Sequence, residues 1–153
     1  MNQDALGVPP ELLAAPGYLV RRLYQAYLAV WVRKVDATLT GPQFALLTAV
    51  NATPGMDQRS LASAVALDSS TMTDIARRLE DQGLIARKSA ASDARRKLLY
   101  LTDRGAEVLA AAHQRARQLD ELLLGPYSAE ERADLMRLLT ALADRWEGLG
   151  DGS

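Results

Sequence analysis

The chain has 153 residues, 48% of them hydrophobic, and a net charge of −1, which suits one domain with a substantial core. The absence of cysteine excludes disulfides, zinc–thiolate sites and thiol redox sensing, and no apolar run is long enough to span a bilayer or form a secretory leader. Aromatic residues make up only 5% and apolar residues recur mostly at helical spacing, so the expectation is a mainly α, soluble, cytoplasmic protein.

Residues 1–16, with Pro9, Pro10 and Pro16, read as an irregular N-terminal arm. Over about 17–37, Leu19, Leu23, Tyr27, Val30 and Trp31 fall on one face and predict a long amphipathic first helix. Thr40 and Gln43 make a capping-box pattern around Pro42 and open a short second helix. Pro54–Gly55 marks a turn, Asp57 is a candidate N-cap, and "QRSLASAVAL" predicts a third helix of about three turns. "DSSTMTDIARRLEDQGL" predicts a fourth, with Met72, Ile75 and Leu79 inward and Gly83 as its left-handed terminus. The period then changes: "LIARK" and "KLLYL" read as two short strands around the tip "SAASDARR". Thr102 caps a fifth helix over about 103–124, with Val108, Leu109, Ala112, Ala116, Leu119 and Leu123 at core spacing. Ser128 and Glu131 form another capping box, and a sixth helix over about 128–149 carries the stripe Leu135, Leu138, Leu139, Leu142, Trp146 and Leu149.

This order describes a mainly α (α+β) fold: a winged helix-turn-helix over about 40–102 with a two-stranded β-hairpin wing, between long N- and C-terminal helices. The nearly neutral total hides a local imbalance, six cations against two acids over residues 84–105. In such a unit the second helix of the tandem pair enters the DNA major groove while its partner crosses the backbone. The outward face of the fourth helix carries Ser70, Thr73, Asp74, Arg77 and Arg78. Ser69, Ser70 and Thr71 stand at its start, where free N–H groups and the macrodipole favour a phosphate. Arg95 lies at the wing tip beside Arg96 and Lys97, suited to a narrow minor groove, and Asp93 is placed to orient it or to pin the loop by an Asx-type bond. The plainer reading, helix capping by the serines and edge protection by the cations, explains each feature singly but not their juxtaposition.

Residues from about 16 to 147 resemble the MarR family of bacterial and archaeal transcription regulators. "SSTMTDIARRLEDQGLI" is similar to that family's recognition helix and its exit, and "SDARRKLLYLTDRG" to its wing signature, with Asp93, Arg95, Lys97, Leu101, Thr102 and Gly105 in the signature positions. Ala94 departs from the pattern where many members have a second arginine, which shifts weight to Arg96 and Lys97. The resemblance implies a single MarR-like domain over 17–149. It also implies a homodimer joined through the first, fifth and sixth helices, two winged units reading a palindromic operator in double-stranded DNA, and a small, often aromatic and anionic, effector. Side chains suited to line an effector pocket are Tyr24, Tyr27, Trp31, His113 and Arg117.

The apolar stripes at both ends of the chain exceed what a small DNA-binding unit buries, which agrees with a dimer. No catalytic residue, metal ligand or cofactor is assigned. His113 is the sole histidine, there is neither a phosphate-binding glycine loop nor a GxSxG elbow, and Glu130 and Glu131 complement a helix start. The expected function is a homodimeric repressor relieved by an aromatic acid or phenolic effector. The rival is a winged-helix protein-interaction module without DNA binding, which would not require a basic hairpin.

Overall fold

Side chains supplied locally by the sequence begin most of the helices. In the computed structural model, which describes residues 7–152, these are α1 (Pro10–Leu13), α2 (Pro16–Lys34), α3 (Gly41–Ala52), α4 (Gln58–Ala64), α5 (Ser69–Asp81), α6 (Asp103–Leu124) and α7 (Ala129–Gly150). A two-stranded antiparallel sheet, β1 (Ile85–Ser89) and β2 (Lys97–Leu101), is paired from Ile85↔Leu101 to Ser89↔Lys97. Both expected capping boxes form, Thr40 with Gln43 and Ser128 with Glu131, and Asp57 caps α4 through the Ser60 N–H. The chain divides into two compact units, the first ending at Ala116 and the second beginning at Arg117.

Three boundaries differ from the sequence-based expectation. A single helical turn, α1, stands inside the arm expected to be irregular, and residues 1–6 of that arm lie outside the described residues. The helix α2 stops at Lys34 rather than near residue 37 because the Asp36 carboxylate accepts from the Thr38 N–H, the Thr38 hydroxyl and the Leu39 N–H, holding a turn that competes with helix. The helix α4 has seven residues rather than three turns. Ala66 turns left-handed at φ 55°, its N–H donates to the Ser63 carbonyl, and the Leu67 N–H donates to the Ala62 carbonyl. That is a Schellman closure with alanine where glycine is usual. The end of α5 repeats the motif with the expected glycine, Gly83 at φ 72°, and with the Leu84 N–H on the Leu79 carbonyl.

Within the first unit the core joins Leu46, Leu47 and Val50 of α3, Leu61 of α4, Met72, Ala76 and Leu79 of α5, Ile85 and Leu99 of the wing, and Leu109 and Ala112 of α6. Met72 and Leu79 are buried and Ile75 half-buried, so the inward face of α5 is the one its spacing predicts. Trp31 is also buried, with its indole N–H donating to the Leu39 carbonyl at 2.7 Å.

The wing is fastened at its base by the signature residues. The Thr102 hydroxyl donates to the Gly83 carbonyl at 2.6 Å and accepts from the Gly105 N–H, while the Thr102 N–H donates to the Leu84 carbonyl. Gly105 is buried at this junction, and a Cβ there would collide with the Leu84 carbonyl oxygen. On its other side β2 pairs with the segment leading into α4: the Gly55 N–H donates to the Leu99 carbonyl, the Leu99 N–H to the Met56 carbonyl, and Asp57 bridges Leu98.

Candidate nucleic-acid interface and effector cleft

Every residue proposed from the sequence for DNA contact is exposed: Ser69, Ser70, Thr71, Thr73, Asp74, Arg77 and Arg78 on α5, and Asp93, Arg95, Arg96 and Lys97 on the wing. Their side chains are not equally available. The cap of α5 is Asp68, not the serines, and its carboxylate accepts from the Thr71 N–H at 2.8 Å and the Thr71 hydroxyl at 2.7 Å. Those bonds hold the Asp68 carboxyl below its ordinary pKa. A negative charge already occupies the end of the helix dipole that a phosphate was expected to use, which leaves the exposed Ser69 and Ser70 hydroxyls as the side chains there not engaged by that carboxylate. The Thr73 hydroxyl donates back to the Ser69 carbonyl, and Arg77 pairs with Asp74 at 3.3 Å on the open face.

On the wing, the Asp93 carboxylate accepts from the Arg95 N–H at 2.9 Å, the expected Asx-type bond, and the Arg96 N–H donates to the Asp93 carbonyl. Two of the six cations of this stretch are committed to acids outside it. Arg87 pairs with Glu80 of α5 at 2.9 Å, and its guanidinium holds the Glu80 carboxyl below its usual range. Arg96 reaches Asp57 at 3.2 Å. Lys97 donates to the Ser89 hydroxyl across the hairpin. Among the described residues, no carboxylate lies within ion-pair distance of Arg78 or Arg95.

Between α4, the start of α5 and the wing lies a cleft of about 370 Å³, lined among others by Gln58, Arg59, Ser69, Arg95, Arg96 and Lys97, with Asp57 its sole carboxylate. Arg59 was not singled out in the sequence as a contact residue. Its signal was its place two residues after the Asp57 cap, on the helix that crosses the backbone in such units.

A second cleft of about 400 Å³ lies between α2, α3 and the α4–α5 turn, lined by Tyr24, Tyr27, Leu28, Pro42, Phe44 and the turn residues Val65, Ala66 and Leu67, among others. Of the side chains expected in an effector pocket, it brings together Tyr24 and Tyr27. Trp31 does not line it: it is buried, with its ring 5.2 Å from that of Phe44. His113 packs edge-on to Phe44 at 4.8 Å, with Nε2 3.4 Å from the Thr48 hydroxyl, and Arg117 is exposed in the second unit. Leu67 lines both clefts.

A tandem helix pair and a basic wing on one buried core define a winged helix-turn-helix DNA-binding transcription regulator. Residues 39–97 match the model of the MarR family. The transcriptional regulator HosA of Escherichia coli is 37% identical over 120 residues, spanning 78% of this chain and 88% of its own. The chain belongs to the MarR family. The structure of PcaV, a transcriptional regulator from Streptomyces coelicolor, in complex with its natural ligand is similar with a TM-score of 0.86 at 37% identity, over 90% of this chain and 97% of that one. The transcriptional repressor CouR bound to a 23-mer DNA duplex gives 0.80 at 28% identity, over 88% and 96%.

Proposed function

We propose that the chain is a homodimeric repressor, without catalytic activity of its own, that acts in the cytoplasm on a palindromic operator and releases it when a small aromatic effector binds. In this reading residues 17–149 work as one functional module and 40–102 as its reading head. Ser69, Ser70, Thr73, Asp74, Arg77 and Arg78 face the major groove and Arg95 enters the minor groove. The observation that carries it is the cleft in which Arg59 of α4 and Arg95 and Lys97 of the wing converge beside the start of α5. A protein-interaction module needs no such convergence, whereas a duplex backbone rewards it through counterion release.

Dimerisation has its own support. The first unit exposes Leu19, Val20, Leu23 and Tyr24 on α2, and the second exposes Leu138, Leu139, Leu142 and Trp146 on α7. Large apolar side chains exposed together along a helix mark an interaction surface, and a second copy suits a two-fold operator.

The effector reading rests on the shared wall. A ring held by Tyr24, Tyr27 and Phe44 presses on the Val65–Leu67 turn, whose Leu67 also lines the DNA-facing cleft. An effector with higher affinity for the arrangement that misplaces α5 shifts the dimer toward it. The test is a titration of fluorescent duplex with the purified chain, repeated with a panel of aromatic acids and phenols and paired with thermal shift. Duplex binding reversed by a compound that also raises the melting temperature supports the reading. Failure to bind any duplex refutes it.

A further inference from the structure

The wing tip carries two adjacent arginines whose surroundings differ. The Arg95 guanidinium has no acid within ion-pair distance among the described residues, whereas the Arg96 guanidinium leaves the loop and donates to Asp57 Oδ2 at 3.2 Å. Asp57 is also the cap of α4, accepting from the Ser60 N–H and hydroxyl at 2.9 Å each. Its carboxyl is held at a pKa of about 2 by the Ser60 bonds first and by Arg96 after them, so it is charged whenever Arg96 reaches for it.

The backbone attachment of the wing to this region ends at the Asp57–Leu98 bridge and the Leu99 bonds to Gly55 and Met56. Beyond that point a two-stranded ribbon is free to twist. The Arg96–Asp57 pair is a second fastening, on the tip side of the bridge. The Arg96 backbone closes the tip as well, with its N–H on the Asp93 carbonyl and its carbonyl accepting from Ala90. One residue therefore joins the tip loop, the base of β2 and the start of α4. With its side chain more than half exposed, the pair adds little to global stability, and its effect falls on the direction of the wing.

We infer that Arg96 is a positioning residue rather than a DNA contact: by clamping Asp57 it fixes the wing against α4, and so aims Arg95 at the duplex. This rests on the DNA-binding reading above. Of the pair onto which Ala94 is expected to shift the wing's affinity, it removes Arg96 and leaves Lys97.

The test uses the full chain and the tightest-bound duplex that the wild type recovers from random-sequence DNA, titrated over a range of salt. Arg95→Gln is expected to weaken binding and lower the salt slope by about 0.9, the signature of one lost phosphate-neutralising cation. Arg96→Gln is expected to weaken binding by about three- to tenfold with the slope unchanged, and to add less than about twofold in the Arg95→Gln background, because it acts through Arg95. Asp57→Ser keeps a capping hydroxyl and removes the clamp, and is expected to match Arg96→Gln, with no further loss when the two are combined. Circular dichroism melts establish that each variant is folded. A slope reduced by about 0.9 in Arg96→Gln, wild-type binding by that variant, a penalty undiminished without Arg95, or unchanged or tighter binding by Asp57→Ser overturns the inference. A wild-type chain that recovers no duplex refutes the DNA-binding reading instead.

Discussion

Replacing Gly105 by alanine tests the packing of the wing on α6. In an ordinary helix interior Gly→Ala stabilises by about 1 kcal/mol, because alanine loses less backbone entropy on folding. At Gly105 a Cβ meets the Leu84 carbonyl oxygen, a backbone atom that also accepts the Thr102 N–H. Relief requires the start of α6 to move away from the α5–β1 turn. That disrupts the Thr102–Leu84 bond and strains the Thr102 hydroxyl bond to Gly83, each worth about 1 kcal/mol, and opens space around buried Leu84 and Leu109. The net loss is about 2–4 kcal/mol, or about 5–15 °C in melting temperature for a chain of this size. Gly148 in α7 is the control: among the described residues nothing beyond its own helix backbone lies within 4 Å of its Cβ position, so Gly148→Ala is expected to be neutral or stabilising by up to about 1 kcal/mol. Both are read by urea unfolding and thermal melts at one fixed protein concentration, since an oligomer's apparent stability depends on it. A Gly105→Ala chain as stable as the wild type would refute the account of the wing's attachment.

Ala66→Gly removes the left-handed strain at the Schellman closure of α4 and is expected to raise stability by about 0.5–1 kcal/mol in the same denaturation assay; Ala66→Val is expected to lower it. The Ser60 hydrogen bonds, and after them Arg96, hold the Asp57 carboxyl down at about 2, below the ordinary carboxylate range, so its contribution is present above pH about 4 and is lost as pH falls towards 2. The acid limb of the Asp57→Ser chain is therefore expected to be shallower in that window, measured by urea midpoints against pH. Leu139→Glu on the exposed stripe of α7 is expected to convert a dimer to a monomer in sedimentation at micromolar concentration and to cost most of the DNA affinity, because each charge introduced into an apolar interface costs several kcal/mol. Arg77→Ala is expected to change which bases a random-site selection returns rather than to weaken all duplexes equally.

What the sequence made legible is what it encodes locally. Thr40 with Gln43, Ser128 with Glu131, the Asp57 cap and the Gly83 terminus each depend on residues within a few positions, and each forms. The hairpin was visible because the apolar spacing changes after Gly83, and the Asp93–Arg95 bond because its partners are two residues apart. The pairings that redefine the interface were hidden because their partners are far apart in the chain or on another element. Arg96 and Asp57 are separated by 39 residues, and Arg87 finds Glu80 across the α5–β1 turn. Counting charge within residues 84–105 could not reveal that two of its cations are neutralised from outside. Four successive residues, Asp68 to Thr71, carry side chains able to cap α5, and only the fold shows that the Asp68 carboxylate satisfies both Thr71 donors at once. The left-handed Ala66 had no signal, since alanine rarely adopts that conformation. The cleft beside α2 was half-legible: Tyr24 and Tyr27 line it, while Trp31 serves the core because its N–H finds the Leu39 carbonyl.

The most direct test of the central claim, a two-headed reader of DNA, is selection of duplexes from random sequence by the full chain, followed by mass measurement of the complex. The account predicts an enriched inverted repeat with half-site centres about one helical turn, roughly 34 Å, apart, and two chains per duplex. No enrichment above background, or a single half-site bound by one chain, would contradict it.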